Sequence, residues 1–107
     1  MNVETTPRAQ VRLEIPYHLR NLARVSGELQ VELAAPVTLR RVLDALEAAN
    51  PALGGTIRTY ETGERRPFLR FFVCGEDWSV ESLDRELPAA IAEGREALLI
   101  IGAIAGG

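Results

Sequence analysis

The run Ala97-Leu98-Leu99-Ile100-Ile101 contains no polar residue. A strand that is apolar on both sides is the signature of a central position in a sheet, where each face needs a cover. The rest of the chain has to be arranged around it. Val11, Leu13 and Ile15 alternate with Arg12 and Glu14 until Pro16 stops the pattern, which predicts a first strand with one buried face. Tyr17 to Ser26 reads as a loop, Gly27 as a turn, and Leu29, Val31 and Leu33 alternate with Gln30 and Glu32 as a second strand hairpinned to the first.

Thr38 is a natural helix cap, because its hydroxyl can accept an amide hydrogen from the first turn. Leu39, Val42, Leu43 and Leu46 follow at helical spacing, with Arg40, Arg41, Asp44 and Glu47 on the opposite face. Pro51 disfavours helical geometry at Asn50, so the helix ends there. Gly54, Gly55 and the stretch Glu61 to Arg66 read as loop. Phe68 to Cys74 reads as a third strand closing at Gly75, with Asp77 and Trp78 beginning a short return strand. Val80, Leu83, Leu87 and Ile91 punctuate an irregular or partly helical connection.

Placing the last strand beside the first yields an α+β, β-grasp architecture: a mixed four- to five-stranded sheet packed on one main helix. Residues 1–9 are expected to be a flexible arm, 10–101 the domain, and 102–107 an extended tail. One helix covers one sheet face. The other is covered either by a protein partner or by the segments around Tyr17, Leu19 and Leu22, or around Leu83 and Leu87.

At 107 residues the chain is one domain. Its net charge of −3, with acids and bases interspersed, offers no positive stripe for a phosphate backbone, so nucleic acid is not an expected partner. One Cys and one His cannot fill a zinc site, and no bound metal is expected. The polar start Met1 to Gln10 is unlike a signal peptide and no apolar run reaches membrane-spanning length, so no membrane partner and a cytoplasmic location are expected.

Few residues of the chain could form an internal active site. His18, the single candidate base, sits in the loop after the first strand and receives no role. Cys74 closes an apolar strand and is expected in the core. Glu76 and Asp77 are adjacent, so their side chains diverge and suit a solvated turn. Gly54-Gly55 follows a helix and cannot cradle a phosphate. Trp78 is expected to pack.

The signal lies in the tail, Gly102-Ala103-Ile104-Ala105-Gly106-Gly107. At the usual glycine frequency a terminal pair arises by chance about once in two hundred chains. Without side chains the pair can thread a narrow channel and expose the last carboxylate to attack.

With this tail, the segments Ile15-Pro16 with His18-Leu19-Arg20, Val37-Thr38-Leu39 to Leu46-Glu47, Arg66-Pro67-Phe68 to Gly75-Glu76-Asp77, and Glu93-Gly94-Arg95-Glu96 resemble, in this order, the sulfur carriers of the MoaD/ThiS group. These are ubiquitin-like β-grasp proteins ending in Gly-Gly, and the resemblance runs from Val11 to Gly107. Two departures stand out: Cys74 replaces a usual Asn in the family's Val-Asn-Gly-Glu-Asp turn, and Gly102-Ala103 stands where molybdopterin-synthase small subunits often have prolines.

The resemblance implies a carrier, not an enzyme acting alone, although it extends to the small subunit of a sulfur-transfer enzyme such as molybdopterin synthase. A ubiquitin-activating-type enzyme would use ATP and Mg²⁺ to adenylate Gly107, and a sulfur source would convert the adenylate to a thiocarboxylate. That group would serve a sulfur-acceptor enzyme in molybdopterin, thiamine or cysteine biosynthesis. No cofactor is expected on the chain itself. Gly106, Ala105, Ile104, Ile101, Leu99 and Phe71 are the expected partner contacts. The alternatives are a protein modifier conjugated through Gly107 and a non-catalytic β-grasp interaction module.

Overall fold

The computed structural model describes residues 8–102. Strand β1 (Arg8–Glu14) leads through Pro16 into a short helix, α1 (Tyr17–Ala23), and then β2 (Leu29–Ala34). Helix α2 (Leu39–Ala49) follows, with a single 3-10 turn at Pro51–Leu53, then β3 (Leu69–Val73), β4 (Glu76–Asp77), α3 (Ala89–Ala92) and β5 (Leu98–Gly102). The strands form one five-stranded sheet in the order β2-β1-β5-β3-β4. The apolar run is its central strand, parallel to β1 and antiparallel to β3. This is the mixed sheet that the sequence predicts.

Strand alternation decides which side is inside. Val11 and Leu13 of β1, Val31 and Leu33 of β2, Leu69, Phe71 and Val73 of β3, and Leu98 and Ile100 of β5 are all buried, in one cluster with Leu39, Val42, Leu43 and Leu46 of α2. Each such side chain, removed from water, contributes roughly 1.5–3 kcal/mol. The hydroxyl of Thr38 accepts the Arg41 amide at 3.2 Å, and α2 stops at Asn50 before Pro51, both as the sequence predicts. Arg58, its side chain 11% exposed, pairs with Asp44 and with Glu47, the latter at 3.0 Å, and so ties the long loop to the outer face of α2.

Several expectations are revised. The segment after Pro16 is a helix for Tyr17–Ala23, held by the burial of Leu19 at 2% exposure. β1 begins at Arg8, so residues 8 and 9 belong to the sheet and not to an arm; residues 1–7 lie outside the described residues. Cys74 is exposed. β3 ends one residue earlier, and Cys74 (φ 50°) and Gly75 (φ 83°) form the two-residue turn to β4. Positive φ at both central residues is the type I′ pattern, which suits the Asn that the resembling family carries where this chain has Cys.

Among the described residues, no segment covers the second sheet face. Leu19 and Leu87 are buried, and Leu83 packs, in the same core as α2. On the opposite face Leu99 and Phe72 are half-buried, Arg70 is exposed, and Ile101 is 43% exposed. The central strand is thus covered on one face only.

Candidate docking groove at the end of the last strand

Parallel pairing of Leu13 with Leu98 and Glu14 with Leu99 brings the end of β1 alongside β5. Past that pairing β1 gives way to Pro16, whose carbonyl accepts the Leu19 and Arg20 amides at 3.0 and 2.9 Å and starts α1. On the other side, pairing of Leu69 with Gly102 places the beginning of β3, and the Arg66-Pro67-Phe68 segment before it, beside the end of β5. Gly102 therefore emerges between two walls. A Cβ built on it would lie 3.7 Å from Pro16 Cγ and 3.9 Å from His18 Cε1.

The space between the walls is a groove of about 730 Å³. Pro16, Tyr17, His18 and Arg20 form one side, Arg66 and Phe68 the other, and Leu99 and Ile101 lie between. Tyr17 and Phe68, 68% and 64% exposed, give it a rim of aromatic surface, the kind of amphipathic area that protein interfaces favour. The Arg20 guanidinium lies 5.6 Å from the centroid of the Tyr17 ring, a cation–π contact that holds charge at the same edge.

Of the expected contact residues, Leu99 and Ile101 line this groove. Phe71 does not: it is fully buried, because it is out of phase with Phe72 and neighbouring side chains point to opposite sheet faces. Phe71 is a core residue and is withdrawn as a partner contact. Ile104, Ala105, Gly106 and Gly107 lie outside the described residues. Tyr17, Arg20, Arg66 and Phe68 were not singled out by sequence as site residues. The spacing of Leu19, Leu22 and Ala23 is compatible with a helix, but a seven-residue segment without a side-chain cap is too short for that spacing to mark the α1 wall.

The geometry also separates the candidate catalytic side chains. His18 flanks Gly102 at one end of β3, and Cys74 follows Val73 at the other. The strand between them spans roughly 17 Å, so the two cannot act as base and nucleophile. Trp78 is buried, with the Arg85 guanidinium 4.4 Å from its ring centroid, a packing role. The Ser79 hydroxyl accepts the Phe71 amide at 2.9 Å, and the Ser79 amide donates to Asp77 at 2.8 Å. Ser79, through its hydroxyl and its amide, and then Arg70 hold the Asp77 carboxyl below the usual range. Asp77 is thus a turn-stabilising group. Among the described residues no cluster of three or more His, Cys, Asp or Glu side chains could hold a metal ion, and no helix is long and apolar enough to cross a membrane.

No protein-family model matches the chain, and no curated protein matches it in sequence. Solved structures do. SAMP1 of Haloferax volcanii superposes with a TM-score of 0.70 at 22% identity, covering 92% of this chain and 99% of that one. CysO, from the BexX/CysO complex of Amycolatopsis orientalis, superposes with a TM-score of 0.69 at 21% identity, over 91% and 99% of the two chains. The small archaeal modifier protein 1 of Methanosarcina acetivorans superposes with a TM-score of 0.67 at 21% identity, over 94% and 99%. The chain has the β-grasp fold of the ubiquitin-like proteins, the fold that the resemblance to the MoaD/ThiS group implied.

Proposed function

We propose that this chain is a ubiquitin-like sulfur carrier whose Gly107 carboxylate is adenylated by a ubiquitin-activating-type partner using ATP and Mg²⁺, converted to a thiocarboxylate, and presented to a sulfur-acceptor enzyme. The observation that carries the reading is the exit of β5. Gly102 leaves the sheet centre inside an apolar, aromatic-rimmed groove, and the sequence continues for five residues to Gly106-Gly107. Five extended residues reach roughly 17 Å, enough to place the carboxylate inside a partner seated on the groove and the open sheet face.

Activation has to precede sulfur transfer, since a carboxylate has no viable leaving group until one oxygen attacks the α-phosphorus of ATP, expels pyrophosphate and forms a mixed anhydride with AMP. The sulfur nucleophile then adds to the acyl carbon, the C–O bond to AMP breaks, and a C–S bond remains. The resulting thiocarboxylate is a soft nucleophile suited to a carbon electrophile. The carrier supplies position, and the partners supply the chemistry. CysO occurs in a complex with BexX, which supports the reading of the groove as a docking site.

The intact mass of the chain, after incubation with ATP, Mg²⁺, sulfide and an activating enzyme, should rise by the exchange of one oxygen for sulfur. The gain should vanish when Gly107 is deleted, with the thermal midpoint unchanged. Absence of the gain, with an enzyme active on its own carrier, would refute the proposal. The name of SAMP1, a modifier, favours conjugation to target proteins as the second reading; a Gly107-dependent isopeptide ladder in cell extracts would support it.

A further inference from the structure

Lysine is among the commonest residues of soluble domains, yet all 12 basic side chains of this sequence are arginines. Among the described residues seven of them, at positions 8, 12, 40, 58, 70, 85 and 95, pair with carboxylates. Arg20 and Arg66 instead line the two walls of the groove from which Gly102 emerges. Five extended residues span at most roughly 17 Å, and both side chains border the groove from which those residues start.

The two basic side chains differ in reactivity more than in charge. A guanidinium stays protonated at every pH a protein meets, whereas a lysine ammonium releases free amine, a good acyl acceptor. A short tethered tail holds its terminus near such a group at an effective concentration on the order of millimolar. An activated acyl terminus beside a lysine would therefore face a continuous competitor to its intended acceptor.

We propose that the arginines at the tail exit act as a specificity device, supplying positive charge beside the emerging terminus while denying it any side-chain amine that could capture it. The proposal rests on the carrier reading in so far as an activated Gly107 is what needs protecting. In the reaction that is denied, an amine nitrogen adds to the Gly107 acyl carbon, a C–N bond forms, the bond to the leaving group breaks, and the amine proton passes to solvent. Because the whole chain lacks lysine, a second copy offers no side-chain amine either. The chain can donate its terminus and cannot receive one on a side-chain amine, so it builds no self-linked polymers in that way.

The test uses the full chain bearing a Gly107 thioester, prepared by thiolysis of an intein fusion, and so does not depend on an activating enzyme. Wild type, Arg20→Lys and Arg66→Lys are incubated at about pH 8, where a small fraction of lysine is free amine. They are then treated with hydroxylamine, which cleaves thioesters and spares amides. Wild type should yield essentially no resistant product. At least one lysine variant should accumulate, at roughly tenfold or more the wild-type level, a ring that has lost the thiol without gaining water, or a covalent dimer. Equal resistant product in wild type, or none in either variant with the thermal midpoints unchanged, would overturn the proposal. Failure of the sulfur-dependent mass gain would count against the carrier reading and leave this result standing.

Discussion

Cys74 shows how a single backbone angle outweighs a side chain's preference. As a small hydrophobe it extends the apolar run of β3, but it occupies the first turn position with φ 50° and is exposed. Left-handed geometry costs a non-glycine residue about 1–2 kcal/mol, Asn and Asp least and β-branched residues most. Cys74→Asn should leave stability unchanged within about 0.5 kcal/mol or raise it, and Cys74→Val should lower it by about 1–2 kcal/mol in urea unfolding. The carboxyls of Asp77, Glu28 and Asp84 are all held below their ordinary range, by Ser79, Arg12 and Arg40 respectively as the leading partners. A carboxyl depressed in the folded state stabilises the fold above its unfolded pKa and loses that contribution as pH falls through the folded value. Stability should therefore decline as pH drops below about 4, and the Asp77→Asn variant should decline less steeply there. Urea midpoints at about pH 3 and pH 6 check this.

At the scale of elements, α2 and β5 were legible because each carries a complete local pattern. α2 has its cap, its apolar stripe and its terminating proline in one contiguous stretch. Its capping hydroxyl is nearly buried, with Thr38 at 7% exposure, so water cannot substitute fully for it. Thr38→Ala should cost about 1 kcal/mol, seen as a lower urea midpoint with an unchanged slope. α1 was not legible for the opposite reason. It spans Tyr17–Ala23, and the Pro16 position before it makes no side-chain cap, so too little local pattern marks it. Burial of Leu19 against the core makes it a helix, and with it one wall of the groove.

For the whole molecule, the consequential fact is that the described helices and connections gather on one face of the sheet and leave the other open. Ile101 is the large aliphatic side chain of β5 that remains exposed on that face, at 43%. Ile101→Arg should change monomer stability by no more than about 0.5 kcal/mol, because the site is already wet. The same substitution should reduce kcat/KM of the activating enzyme for this carrier by roughly tenfold or more, the loss expected for an anchor at the centre of an interface. Steady-state pyrophosphate release, beside a urea titration of the variant alone, separates the two effects.

By itself the sequence determined the strands, the main helix, the central place of Leu98 to Ile101, the order that makes a β-grasp, and the terminal glycine pair; each rests on periodicity or turn chemistry within a few neighbouring residues. Tertiary structure alone decided which alternate residues of that apolar strand face water. A strand with no polar member has no pattern to mark its outer side, and Phe71 and Phe72 look equally fit for either face. It also decided that Pro16 to Arg20 and Arg66 to Phe68, about fifty residues apart in sequence, meet around Gly102. That meeting depends on β5 inserting between β1 and β3, a long-range pairing written in no single segment.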